Sequence, residues 1–187
     1  MRLKKLGLAA GVLWVLGVAM PVAAQDEVRL TISGGRNLPL VEAVKGGDVA
    51  AIRRLLDQRS DVNAQTADGA TALHWAAHLD NPEIVDLLIQ RGASPKSANR
   101  YGVTPLSLAA VNASPAVLER LLAAGADPNT AMPGGETALM SAARAGTPAA
   151  LKALIASGAD VNARDTRRGQ TALMWAAARN NAEPFAC

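Results

Sequence analysis

The chain has 187 residues and a single cysteine, Cys187, so no intramolecular disulfide can stabilise it. No base is evident beside that thiol, which a cysteine nucleophile would need. Histidine is scarce too: His74 and His78 are the only two. They lie four apart, as ligands on one helix would, but Trp75 stands where a zinc protease has glutamate, and no third ligand follows. Gly34-Gly35 and Gly134-Gly135 are too short for a phosphate cradle and lack the lysine of a P-loop. These absences leave no expected cofactor, metal site or catalytic residue. Aromatic residues make up only 3% of a chain that is 50% hydrophobic. Alanine supplies much of the apolar share, which points to closely approaching helices. The apolar run Leu6–Met20 is shorter than the roughly 20 residues a membrane span requires.

That run has a different reading. Arg2, Lys4 and Lys5 precede it, and Pro21-Val22-Ala23-Ala24-Gln25 follows. A basic start, a short apolar stretch and small residues before a polar one predict a signal peptide over residues 1–24, cleaved before Gln25. Val28, Leu30 and Ile32 then alternate with Arg29 and Thr31, which predicts an extended arm over residues 25–36. The whole chain holds 19 Lys+Arg against 16 Asp+Glu. Three of those bases sit in the leader, so residues 25–187 carry 16 of each sign. The net charge of the mature chain is zero, and neither a nucleic-acid partner nor a membrane partner after cleavage is expected.

The rest of the chain repeats. Thr71-Ala72-Leu73, Thr104-Pro105-Leu106, Thr137-Ala138-Leu139 and Thr171-Ala172-Leu173 recur at intervals of 33, 33 and 34. Gly69, Gly102, Gly135 and Gly169 precede them, and Ala76-Ala77, Ala109-Ala110, Ala142-Ala143 and Ala176-Ala177 follow. A degenerate first copy places Leu40 under Leu73 and Ala43 under Ala76. In each unit the threonine opens a short helix, and the alanine pair keeps it thin. A second helix starts at Asp48-Val49, Asn81-Pro82, Ser114-Pro115 and Thr147-Pro148, where all four first residues are good N-caps. Its apolar stripe is read as Ile52/Leu55/Leu56, Val85/Leu88/Ile89, Leu118/Leu121/Leu122 and Leu151/Leu154/Ile155. Gly92, Gly125 and Gly158 supply left-handed stops, with Arg59 at that place in the first copy.

This 33-residue helix–turn–helix unit, with Thr71-Ala72-Leu73-His74-Trp75-Ala76-Ala77 as its fullest copy, resembles the ankyrin repeat. The resemblance implies an all-α solenoid of stacked helix pairs over residues 37–187, with projecting loops, or fingers, and a concave face. The units are 37–66, 67–99, 100–132, 133–166 and an incomplete 167–187. The family's histidine appears only at His74; Val41, Ser107, Met140 and Met174 replace it, so the other units are expected to rely on packing.

By the same resemblance the finger residues around each turn glycine, and two late positions on each first helix, are the partner-binding positions. They are Lys45 in the first unit and Ala67, Asp68, Ala70, His78 and Leu79 in the second. The third unit supplies Arg100, Tyr101, Val103, Val111 and Asn112, and the fourth Pro133, Glu136, Arg144 and Ala145. Arg167, Arg168, Gln170, Ala178 and Arg179 complete the set in the fifth. Six bases stand there against two acids, while Asp57, Glu83, Asp86 and Glu119 fall on second helices. The expected function is a non-enzymatic, exported scaffold that binds an acidic protein; the leader and alanine-rich style point to a bacterial periplasm. The competing expectation is the N-terminal recognition domain of a longer secreted enzyme or electron carrier. It is motivated by a fifth unit that stops inside its second helix at Glu183-Pro184-Phe185-Ala186-Cys187.

Overall fold

The computed structural model describes residues 38–180. The segments expected to be a leader and an extended arm, and the chain end with Cys187, lie outside the described residues. Those described form nine helices: α1 (Pro39–Lys45), α2 (Val49–Asp57), α3 (Ala72–His78), α4 (Pro82–Gln90), α5 (Pro105–Val111), α6 (Pro115–Ala123), α7 (Ala138–Ala145), α8 (Pro148–Ala156) and α9 (Ala172–Asn180). Among the described residues there is no strand, only an isolated bridge between Ala131 and Thr137. First helices α1, α3, α5, α7 and α9 pack side by side as an inner layer. Second helices α4, α6 and α8 do the same as an outer layer, and α2 packs on α1.

The helix starts follow from capping chemistry. Asp48, Asn81 and Ser114 accept the N–H of Ala51, Ile84 and Val117, each at the free end of its helix. Thr147 is the exception: α8 begins on Pro148 without a side-chain cap. In the inner layer the histidine's task is not simply lost where the residue changes. His74 Nδ1 lies 3.1 Å from the Thr71 N and 2.9 Å from its Oγ1. In the third unit Ser107 takes over, its Oγ accepting from Thr104 N at 3.0 Å while Thr104 Oγ1 accepts from Ser107 N at 3.1 Å. The fourth unit, with Met140, keeps a single cap from Thr137, and the first, with Val41, starts α1 at Leu38 without a side-chain cap.

Two expectations are corrected in the outer layer. The buried face keeps Val85, Leu88, Leu118 and Leu121 but extends to Ile84 and Val117, which are fully buried, while Ile89 and Leu122 are half-buried against the core. Ile155, expected in the stripe, is 50% exposed, because α8 is the last outer helix among the described residues and nothing there covers it. Leu88, Leu121 and Leu154 are completely buried, as the register predicts. The alanine pairs of α3, α5 and α7 are buried as well, which lets inner helices approach. Among the described helices α9 packs chiefly on α7, and its Leu173 is 78% exposed.

Turns are set by backbone handedness. Gly92, Gly125 and Gly158 have φ of 87°, 90° and 88°, and Arg59 takes 60° in the first copy. A second left-handed position, between the helices of each unit, is occupied by Gly47, Asp80, Ala113 and Gly146. The loop asparagines bridge neighbouring units: Asn63 Nδ2 donates to the Gly92 carbonyl and Asn129 Nδ2 to that of Gly158, each at 3.0 Å. Asp61 and Asp127 hold those asparagines by accepting their backbone N–H.

Candidate functional site

Each finger is a tight turn closed at its base. Thr66, Asn99, Met132 and Asp165 donate their N–H to Ala70, Val103, Glu136 and Gln170 carbonyls at 2.8–2.9 Å. Neighbouring fingers are laced together where chemistry permits. Arg100 N donates to the Asp68 carbonyl at 2.9 Å, and Thr166 N to that of Gly134 at 2.8 Å. The matching residue between them is Pro133, which has no N–H to donate. Its ring packs at Gly102 instead, 2.8 Å from where a side chain there would begin.

The sequence-predicted residues separate into two clusters. In the first, Lys45 Nζ lies 4.5 Å from the centre of the Trp75 ring and 2.9 Å from Glu42 Oε1. His78 is exposed and meets the edge of Trp75 at 6.1 Å between centroids. Leu79 and Tyr101 stand open, Tyr101 at 67% exposure, and Arg100 is exposed beside it. Three positions of this half serve the scaffold. Asn112 Nδ2 donates to the His78 carbonyl at 2.7 Å, the Asp68 carboxylate accepts from the Thr66 hydroxyl, and the Val103 carbonyl faces His74 Nε2.

In the second cluster Glu136, Arg144, Arg167, Arg168, Gln170 and Arg179 all line one groove of about 630 Å³ between the fourth and fifth units. Pro133, Gly134, Asp165, Trp175 and Ala178 complete its walls. Asp165 and Trp175 were not legible as site residues. Asp165 is buried and accepts from Arg167 N (3.1 Å) and Arg168 N (2.6 Å), while its other oxygen accepts from Trp175 Nε1 at 3.0 Å. The Arg168 N–H foremost, and then the indole, hold this carboxyl below the ordinary range against the opposing effect of burial. Its sequence signal is the last interval, 34 rather than 33, which marks an extra residue in this finger. Arg144 lies over the Trp175 ring, 5.4 Å from its centre, and 3.4 Å from Glu136 Oε1.

Three acids of the outer layer are paired. Arg53–Glu83, Arg91–Asp57 and Arg120–Asp86 pair at 3.2, 2.9 and 2.8 Å on the outer side. Arg100, Arg167, Arg168 and Arg179 make no ion pair among the described residues. Those residues also include no group of three His, Cys, Asp or Glu able to hold a metal, and no helix long and apolar enough to cross a membrane. His74, half of the only histidine pair, has both ring nitrogens within hydrogen-bonding distance of its own repeat framework.

A family model described as ankyrin repeats, in three copies, matches residues 40–132 and 117–185. Osteoclast-stimulating factor 1 of Sus scrofa is 46% identical over 50 residues, 27% of this chain and 23% of that protein. An ankyrin repeat and LEM domain-containing protein 1 homolog of Caenorhabditis elegans is 46% identical over 54 residues, covering 29% and 8%. Caskin-2 of Xenopus laevis is 40% identical over 73 residues, covering 32% and 6%. The matched stretches thus span less than a quarter of these relatives. With the family match running through every described helix pair, the chain belongs to the ankyrin-repeat family.

Proposed function

We propose that this protein is an exported, non-catalytic scaffold that captures an acidic protein partner on the face formed by its fingers and inner helices. The observation that carries the reading is the split in charge. Arg100, Arg167, Arg168 and Arg179 on the finger side make no ion pair among the described residues, whereas the outer-layer acids Asp57, Glu83 and Asp86 are each matched by an arginine. Unneutralised guanidinium groups on one face steer an oppositely charged surface toward it and set its orientation. Nucleic acid is the less favoured occupant, because residues 25–187 carry no net positive charge.

The test is capture of the native partner from an envelope fraction by the wild type and by Arg100→Glu with Arg144→Glu. Loss of capture with an unchanged melting temperature is expected; recovery of the same partner by the doubly reversed protein would move the site to Leu79, Tyr101 and Val103. Export has its own measurement. N-terminal sequencing of the protein expressed with its leader in a bacterium should begin at Gln25, and intact Met1 on exported material would overturn it. Reading the gene past Cys187 separates a free-standing scaffold from the recognition domain of a larger enzyme or electron carrier.

A further inference from the structure

The groove between the fourth and fifth units is more specialised than a basic surface. Four guanidinium groups, of Arg144, Arg167, Arg168 and Arg179, surround it, with Glu136 and Asp165 in its walls. Asp165 is already saturated by two backbone N–H groups and the Trp175 indole. Glu136 accepts from the Ser141 hydroxyl at 2.6 Å and faces Arg144. Formal charge in the groove is therefore two units positive, and three of its arginines lack an ion pair among the described residues.

Those arginines are also placed by their neighbours. The Arg167 Nε lies 3.3 Å from where a Gly134 side chain would begin, and the Arg179 guanidinium occupies the space a side chain at Gly146 would fill. Arg144 rests on the Trp175 ring. Arg144, held by the ring and by Glu136, is thus partly ordered beforehand, which lowers the entropic cost of engaging an anion.

We propose that this groove is a subsite for an extended acidic segment of the partner and takes two of its carboxylates side by side. This rests on the reading of the finger side as the binding face and names its chemistry. Two unneutralised charges match two carboxylates. A volume of about 630 Å³ is far larger than one small anion needs and suits a length of chain. In an extended segment alternate residues share a side and lie about 7 Å apart, so the motif is acidic–any–acidic. Guanidinium groups suit carboxylates because their fork of N–H donors matches both oxygens.

Fluorescence anisotropy on the full chain tests this with a labelled peptide carrying two glutamates at alternate positions, and with its glutamine counterpart. The glutamate peptide should bind at least tenfold more tightly, and its affinity should fall as salt is raised. Arg167→Gln with Arg179→Gln should remove that preference, while Arg91→Gln, on the outer layer, should keep it. Should the double variant fail to melt cooperatively, Arg168→Gln alone serves as the second readout and should weaken the glutamate peptide severalfold. Equal binding of the two peptides would overturn the proposal, as would a preference that survives these substitutions. Stronger competition by inorganic phosphate or a single-stranded oligonucleotide than by unlabelled glutamate peptide would also overturn it. Partner capture that is retained by Arg167→Gln with Arg179→Gln but lost in Arg100→Glu, which lies outside the groove, would sink the groove and leave the basic face standing.

Discussion

At the scale of single residues, His74 shows how a hydrogen-bond geometry fixes a protonation state. Thr71 donates its N–H to Nδ1, so Nδ1 is an acceptor and Nε2 carries the proton given to the Val103 carbonyl. Burial pushes the imidazole below its usual 6.5, with the Val103 carbonyl and the Asp68 carboxylate opposing. The unfolded chain therefore binds this proton at a higher pH than the native one. His74 contributes its full stability above about pH 6.5 and loses it as pH falls through the depressed native value. The denaturant midpoint should drop between pH 7 and 5, and His74→Asn should flatten that slope while lowering the midpoint throughout. Asp68 and Asp165, held below the ordinary 3.8, lose their contributions only in stronger acid, so the two windows separate. Ala113 offers a gain instead. Its φ of 56° is left-handed, and Gly47 and Gly146 stand at the same place in other units. Ala113→Gly should raise stability by about 1 kcal/mol, read from the same denaturant curves.

At the scale of elements, helix starts and stops were legible because each depends on one or two neighbouring residues. Asn81-Pro82 opens α4 and Gly92 ends its turn, as the local chemistry dictates. What crosses from one unit to the next was not legible. The burial of Ile84 and Val117 beside the expected stripe, the Asn63 and Asn129 bridges, and the Arg120–Asp86 pair all depend on how successive units are turned. The groove divides in the same way. Its arginines follow from repeat alignment, whereas Asp165 and Trp175 meet through an extra finger residue whose path no periodicity states. Two measurements belong here. Leu121 is fully buried in α6, between α4 and α8, so Leu121→Ala should cost about 2–5 kcal/mol in a melting or denaturant experiment. An unchanged midpoint would mean the register is wrong. Helix α9 exposes Leu173 and half of Met174 and, among the described helices, packs chiefly on α7. Its amides should exchange faster than those of α3, α5 and α7.

At the scale of the whole molecule, stability and recognition draw on different charges, and salt should separate them. The outer layer is joined by Arg53–Glu83, Arg91–Asp57 and Arg120–Asp86, whose side chains are all at least one-third exposed. Exposed pairs of this kind contribute about 0.2–1 kcal/mol each, and screening removes little in total. The bulk of the stability lies in the continuous apolar core running from Leu40 through Leu88 and Leu121 to Leu154, which salt does not weaken. On the finger side the unneutralised arginines act over distance, where screening beyond about 8–10 Å is decisive. Raising ionic strength from low to several times physiological should therefore slow association with an acidic partner roughly tenfold or more. The melting temperature should move by only a few degrees over that range. Surface-plasmon association rates and thermal melts at matched salt concentrations give both numbers. If the two fall together, weakened partner binding would reflect loss of the folded stack. If the rate alone falls, and Arg168→Gln removes part of its salt dependence, attraction originates on the finger side while the outer pairs serve to join the units.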